Sequence, residues 1–377
     1  MNARILAAVI VVAAVVIAIA AVSMRITGNT TASSEPIRLG AILILSGEGA
    51  SWGIAEKHGI EMAVDKINSE GGINGRQVVV DFQDDQSDPK AAVSSFRNLV
   101  DAKGIRIIIG TTWSHVGLPL VEMADENKVL VISPSLGVKE FNEGSEFLFN
   151  TWPHDYILSR NLADYIHAKG HRKVVVIGAE QVWVKDQTRN FMERFRELGG
   201  EIVLAIEPDT LNKNVYPEAL RIKTAVDEGG VDAIVSTTDG TLVGVHVAKR
   251  VRELGVSLPM YSITIDANVI EIAQGSYEGM EFLTFLTPSE EFKVAYEEKT
   301  GIPIDIGADS SYDAVMLIAK AIRETNSTDT NILQEYLNGV KEYKGVSGNL
   351  VADGKGGFIK PYSIKRVVNG TAADISG

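Results

Sequence analysis

The sequence predicts an α/β protein of two doubly wound, Rossmann-like lobes preceded by an apolar N-terminal helix. Three observations carry that reading. From Ile37 onward the pattern strand, turn, helix recurs along the chain, which argues for parallel sheets covered by helices on both faces. Ile105 to Gly110, IRIIIG, ends in three consecutive isoleucines before its glycine, an apolar, β-branched run of the kind a strand buried on both sides requires. The chain has 377 residues, more than one core ordinarily serves, and its hydrophobic fraction of 45% supplies material for two.

The net charge of −13 is a poor match to nucleic acid, which is recognised through clustered Lys and Arg. There are no cysteines, so disulfides, thiolate metal sites and cysteine nucleophiles are excluded, as is a lipid anchor on an N-terminal cysteine. No His or carboxylate group has metal-ligand spacing, and no cofactor is expected. The glycines at 47, 49 and 53 do not form the dinucleotide fingerprint, and no nucleophile elbow or P-loop occurs, so the residues do not point to an enzyme.

Ile5 to Val22 is apolar throughout and long enough to span a bilayer, so residues 1–24 read as a membrane anchor, or as a signal peptide cleaved near Ala18-Ile19-Ala20. Residues 25–36, rich in Thr and Ser, read as a tether on the outer side.

Taken in order, the first strand is Ile37 to Leu45, and a helix from Trp52 to Asn68 aligns Ile60, Val64 and Ile67 on one face before Gly71-Gly72 stops it. Gln77 to Phe82 is a strand, after which Asp88 caps a helix whose first position is Pro89. The central strand ends at Gly110 and empties into Thr111-Thr112-Trp113-Ser114, with a helix expected from His115 to Asn127. Unpaired N–H groups in a helix's first turn receive an anion, and Ser114 could cap that helix while offering its own proton outward. That loop therefore reads as one wall of a cleft for a small molecule. A strand at Val129 to Ile132 and the segment Phe147 to Asn150 complete the first series.

The second series has strands at Lys173 to Ile177, Ile202 to Ile206, Asp232 to Ser236 and Pro259 to Ile263, with helix stops at Gly199 and Gly255. A strand at Met280 to Leu286 and helices at Ser289 to Thr300, Ser310 to Glu324 and Asn331 to Val340 follow. Gly345 to Val351 and Phe358 to Val367 read as a hairpin around Asp353-Gly354-Lys355-Gly356-Gly357.

Ser46-Gly47 with Ser51-Trp52-Gly53, then Asn68 with Gly71-Gly72-Ile73-Asn74-Gly75, then Asp84-Asp85-Gln86-Ser87-Asp88-Pro89 and Ser133-Pro134-Ser135 resemble the leucine/isoleucine/valine-binding proteins. These are the type I periplasmic solute-binding proteins of branched-chain amino-acid ABC transporters. The resemblance implies two lobes joined by a three-strand hinge that close on a ligand, with 37–151 plus 286–342 in the first and 152–285 plus 343–377 in the second. It implies an extracytoplasmic protein delivering a branched-chain amino acid to a membrane permease, with an amide, urea or a sensing role as alternatives.

Carried onto this sequence, it places the ligand's carboxylate at Ser114 and the neighbouring Thr112 and Trp113, and aromatic contacts at Trp52 and Trp183. It places backbone contacts at Ser135 and Leu136. Gly137 stands where a hydroxyl residue is usual. The acidic partner of the ammonium is displaced: Thr264 lies near its expected position, and Asp239 and Asp266 are the nearest carboxylates.

Overall fold

The computed structural model describes residues 35–211, 214–238 and 242–375. The anchor, most of the tether and Asp239 therefore lie outside the described residues. Among the described residues, no helix is long and apolar enough to cross a membrane.

The first series gives β1 (Ile37–Leu43), α1 (Ala50–Ser69), β2 (Val78–Asp84), α2 (Pro89–Arg97), β3 (Ile107–Gly110), α3 (Ser114–Gly117), α4 (Val121–Asn127), β4 (Leu130–Ser133) and β5 (Leu148–Asn150). The second gives α5 (Tyr156–Ala168), β6 (Lys173–Ile177), α6 (Val182–Glu197), β7 (Glu201–Ile206), α7 (Tyr216–Asp227), β8 (Ala233–Ser236), α8 (Leu242–Glu253), β9 (Met260–Ile263), α9 (Ala267–Ile272) and β10 (Glu281–Thr284). The tail gives α10 (Glu290–Thr300), α11 (Ala308–Thr325), α12 (Thr330–Gly339), β11 (Glu342–Gly345), β12 (Gly348–Ala352), β13 (Phe358–Ile359), β14 (Ser363–Val368) and β15 (Thr371–Asp374).

One sheet runs β2-β1-β3-β4-β5, all parallel, with β3 at its centre. Alternate residues leave a strand on opposite faces. Ile107 and Ile109 enter one buried cluster with Leu39, Ile60 and Leu317, whereas Ile108 enters the other with Ile42 and Leu99. This is the two-sided burial that the β-branched run predicts.

The second sheet, β15-β14-β10-β9-β8-β6-β7, is mixed: β14 and β15 add antiparallel to an otherwise parallel set. The chain passes between the two sheets three times, after β5, after β10 and between β13 and β14.

Three expectations need correction. The helix expected from His115 to Asn127 is broken into α3, a tight turn at Leu118–Leu120 and α4. Pro119 has no N–H to give and its ring crowds the preceding turn, so a continuous helix cannot pass. The strand expected over Phe358 to Val367 is likewise divided. β13 pairs with β12, while β14 pairs with β10 in the other sheet, and Pro361 stands between them where it cannot donate to a ladder. As a consequence residues 343–359 do not join the second lobe: Leu350 and Phe358 share a buried cluster with Leu39 and Leu333.

Glycines set two close approaches on α1. A Cβ at Gly53 would lie 1.9 Å from the Ile44 carbonyl oxygen, and one at Gly59 would lie 2.1 Å from that of Ala308. The helix is thereby held against the end of β1 at one point and against α11 at the other.

Candidate functional site

Loops at the carboxyl ends of the parallel strands of both sheets meet around a cavity with about 420 Å³ of space between its atoms, part of it open to solvent. Open α/β sheets bind ligands at these strand ends. The first sheet contributes Thr112, Trp113, Ser114 and His115 after β3, Ser135 after β4, and Trp152 and Asp155 after β5. The second contributes Gln181 and Trp183 after β6 and Thr264 after β9, and Trp52 comes from the first turn of α1.

Six of the nine residues singled out from sequence line this cavity: Trp52, Thr112, Trp113, Ser114, Ser135 and Trp183. Leu136 does not. Its side chain is fully buried, its N–H donates to Ser133 Oγ at 3.0 Å and its carbonyl accepts Asn150 Nδ2 at 2.9 Å, so neither backbone group is turned to a ligand. Asp266 does not line the cavity either. It accepts Trp52 Nε1 at 2.6 Å and the Val269 N–H at 2.6 Å, so it caps α9 and ties a ring of the first lobe to the second. Burial raises its pKa.

Ser114 is buried and on the wall, but it is not the helix cap. Trp113 holds the extended N-cap backbone, and Ser114 is the first helical residue of a four-residue helix. The dipole of so short a helix is far weaker than that of the long helix expected, leaving the hydroxyl as the main polar offering.

The residues that sequence reasoning missed are those joined over long separations. Asp155 is almost fully buried and accepts the indole N–H groups of Trp152 and Trp183, each at 2.8 Å, one on each carboxylate oxygen. Burial pushes its pKa up to about 7 against the lowering effect of those two bonds. Gly137 explains how the carboxylate reaches this place: a Cβ there would fall 1.6 Å from Asp155 Oδ2. The Asp155 carboxylate thus occupies the space that a side chain at 137 would take. The signal in the sequence was Trp152-Pro153-His154-Asp155 directly after a strand, the same context that marked Ser114.

Thr264 has a left-handed backbone at φ 48, uncommon for a β-branched residue. It is 1% exposed on the cavity wall, and its hydroxyl has no hydrogen-bond partner among the described residues, nor does Trp113 Nε1. His115 lies against the Ser87 carbonyl, and burial lowers its pKa, so it is neutral at pH 7.

Behind the wall stands Glu56, fully buried on the face of α1 one turn from Trp52. Thr112 Oγ1 lies 2.6 Å from one of its oxygens, Ser135 Oγ is hydrogen-bonded to the other, and Ser135 Oγ is also 2.8 Å from the Thr112 carbonyl. A serine hydroxyl has one proton. If it goes to the Thr112 carbonyl, which can only accept, Glu56 must donate to Ser135, so the carboxyl is neutral. Burial agrees, pushing its pKa up from 4.5 to about 8.

A pH dependence follows. Between pH 4.5 and 8 the folded chain holds a proton that the unfolded chain has released. This contribution to stability is complete below 4.5 and is lost as pH rises through 8. Melting curves from about pH 6 to about pH 9 should therefore fall more steeply for the parent than for Glu56→Gln, whose amide does not titrate. Parallel slopes would mean that Glu56 is ionised in the fold.

Among the described residues, no cluster of His, Asp and Glu could hold a metal. The sequence profile of the periplasmic binding proteins matches residues 36–372. A Leu/Ile/Val-binding protein homologue of Brucella melitensis biotype 1 is 34% identical over 140 residues, 37% of this chain and 38% of that protein. The chain thus matches well under half the length of that relative. By structure, a leucine binding protein from Thermotoga maritima superposes with a TM-score of 0.84 at 23% identity, covering 90% of this chain and 98% of that one. A branched-chain amino acid transporter substrate binding protein from Streptococcus pneumoniae, in complex with isoleucine, gives 0.82 at 24%, covering 90% and 99%. At these identities the structural likeness establishes the fold.

Proposed function

Since the chain belongs to the periplasmic binding protein family, we propose that it is the solute-binding component of an ABC transporter, working outside the cytoplasm. On this reading the lobes close over a small amino-acid-type solute and present it to a membrane permease. The apolar run at 5–22 serves as the anchor or export signal that puts it there.

The observation that carries the reading is the cavity itself. It is assembled from strand ends of both sheets, and the two lobes already meet across it through the Trp52 N–H and Asp266. Three connections between the lobes suit hinge closure, in which a solute that touches both halves favours the closed population. The names of the relatives favour a branched-chain amino acid, and the indole-rich lining supplies the apolar room such a side chain needs.

The test is a thermal-shift screen of the chain against amino acids, amides and urea, extended to aromatic acids. A true solute at 100 times its dissociation constant should stabilise the fold by about 2.7 kcal/mol. Ser114→Ala should weaken binding of that solute by roughly 1–3 kcal/mol, through loss of a hydrogen bond to a charged group. No shift with any compound would overturn the reading, and unchanged affinity in the variant would remove Ser114 from the carboxylate contact.

A further inference from the structure

All four tryptophans of the chain line this single cavity. Three have their indole N–H bonded to a protein carboxylate, Trp52 to Asp266 and both Trp152 and Trp183 to Asp155. Those bonds orient the rings before any solute arrives. Trp52 and Trp113 stand at 88° with centroids 6.1 Å apart, which makes a corner of two perpendicular aromatic walls. Gly49 is part of that corner, because a Cβ there would lie 2.5 Å from the Trp113 ring.

The charge of the lining narrows what fits. No Lys or Arg lines the cavity among the described residues, and its ionisable members are Asp155 and His115. An anionic solute would thus meet a carboxylate and no cation among the lining residues, whereas a cationic group meets a carboxylate and the rings of Trp52, Trp113 and Trp183; the fourth ring, Trp152, is 1% exposed and already has Lys360 Nζ 5.1 Å from its centroid.

A bare ammonium must also place three N–H bonds. The Thr112 and Ser135 hydroxyls are taken up with Glu56 and the backbone, and each Asp155 oxygen already accepts an indole, which leaves the ammonium about one further acceptor direction on each oxygen for three N–H bonds. A methylated ammonium has no such need: its charge is spread over methyl groups, and aromatic faces attract it directly.

Two polar groups remain to be satisfied, the Trp113 N–H and the Thr264 hydroxyl, both buried and without partners among the described residues. Both can donate, and a solute carboxylate would accept from both.

We propose that the solute of this cavity is a small carboxylate carrying a quaternary ammonium group, its methyl groups among Trp52, Trp113 and Trp183 and its carboxylate at Trp113 Nε1 and Thr264 Oγ1, beside the Ser114 hydroxyl. The proposal rests on the solute-binding reading above and sharpens it, replacing the primary ammonium of a common amino acid with a methylated one.

Calorimetry on the full chain with three probes tests it: glycine betaine, 3,3-dimethylbutanoate and leucine. The second has the shape of the first with carbon in place of the charged nitrogen. Glycine betaine should bind at least about tenfold tighter than this carbon isostere, which keeps the carboxylate but lacks the cation, the discrimination expected of a desolvated cation–π site. It should also bind tighter than leucine.

Trp113→Phe, which keeps a ring at this half-buried position but removes the indole N–H, should lose about tenfold in affinity for glycine betaine while still melting cooperatively as a folded protein in the absence of probe. Equal affinity for glycine betaine and its carbon isostere would overturn the proposal, because the cavity would then be reading shape and the carboxylate but not the cation. Leucine binding in preference to glycine betaine would overturn it while leaving the amino-acid reading in place. No binding by any of the three overturns it as well, and the broader reading then stands or falls on the screen described above.

Discussion

Gly53→Ala should destabilise the protein by about 3 kcal/mol or more, the upper end of what an added methyl costs in a packed interior. The added Cβ would lie 1.9 Å from the Ile44 carbonyl oxygen and 2.6 Å from its carbon. These are backbone atoms at the end of β1 and cannot swing aside as a side chain would, so α1 must lift from the sheet. Trp52 is the adjacent residue, and its bond to Asp266 should go with the displacement. Gly339→Ala is the control, because nothing lies within 4 Å of the added atom and its backbone is not left-handed. Chemical denaturation of both variants reads the difference, and equal midpoints would show that the approach at Gly53 is not limiting.

Asp155→Leu should cost roughly 2–6 kcal/mol, because it leaves the indole N–H groups of Trp152 and Trp183 without their acceptor, at about 1–3 kcal/mol each. Asp155→Asn should fall between parent and Leu, since its amide keeps one acceptor oxygen and sets an NH₂ against the other indole. Water reaching the cavity edge would move the value toward the lower end of that range. Urea denaturation followed by tryptophan emission measures the stability and the ring environments together. A Leu variant as stable as its parent would mean that the carboxylate contributes nothing to holding the rings.

Local signals were legible in the sequence, and their convergence was not. Asp88 and Pro89 start α2 as their order predicts, with the Asp88 carboxylate accepting the Lys90 N–H at 2.8 Å. Gly199 and Gly255 stop their helices with φ of 85 and 82. The β-branched run at β3 sits at the centre of its sheet.

The breaks at Pro119 and Pro361 were readable but were overridden by the apolar periodicity around them. Ser114 lies on the cavity wall but does not cap the helix; serine before a helix is a cap signal whether or not another residue takes the N-cap position. Asp155 and Glu56 could not be assigned from local pattern. What defines them is a neighbour brought by the fold: Trp183 lies 28 residues from Asp155, and Ser135 lies 79 from Glu56. Asp266 reads from the sequence either as an ammonium partner or as the start of the next helix; it caps α9, and its other partner is an indole 214 residues away.

The two close approaches on α1 also bear on how this scaffold could change its diet during descent. Trp52 immediately precedes Gly53 and Glu56 lies between Gly53 and Gly59, on a helix that cannot shift without collision on one flank or the other. The part of the chamber carried by α1 is therefore cast in place, and a change of cargo has to be made through side chains mounted elsewhere, such as Gln181 on the opposite lobe.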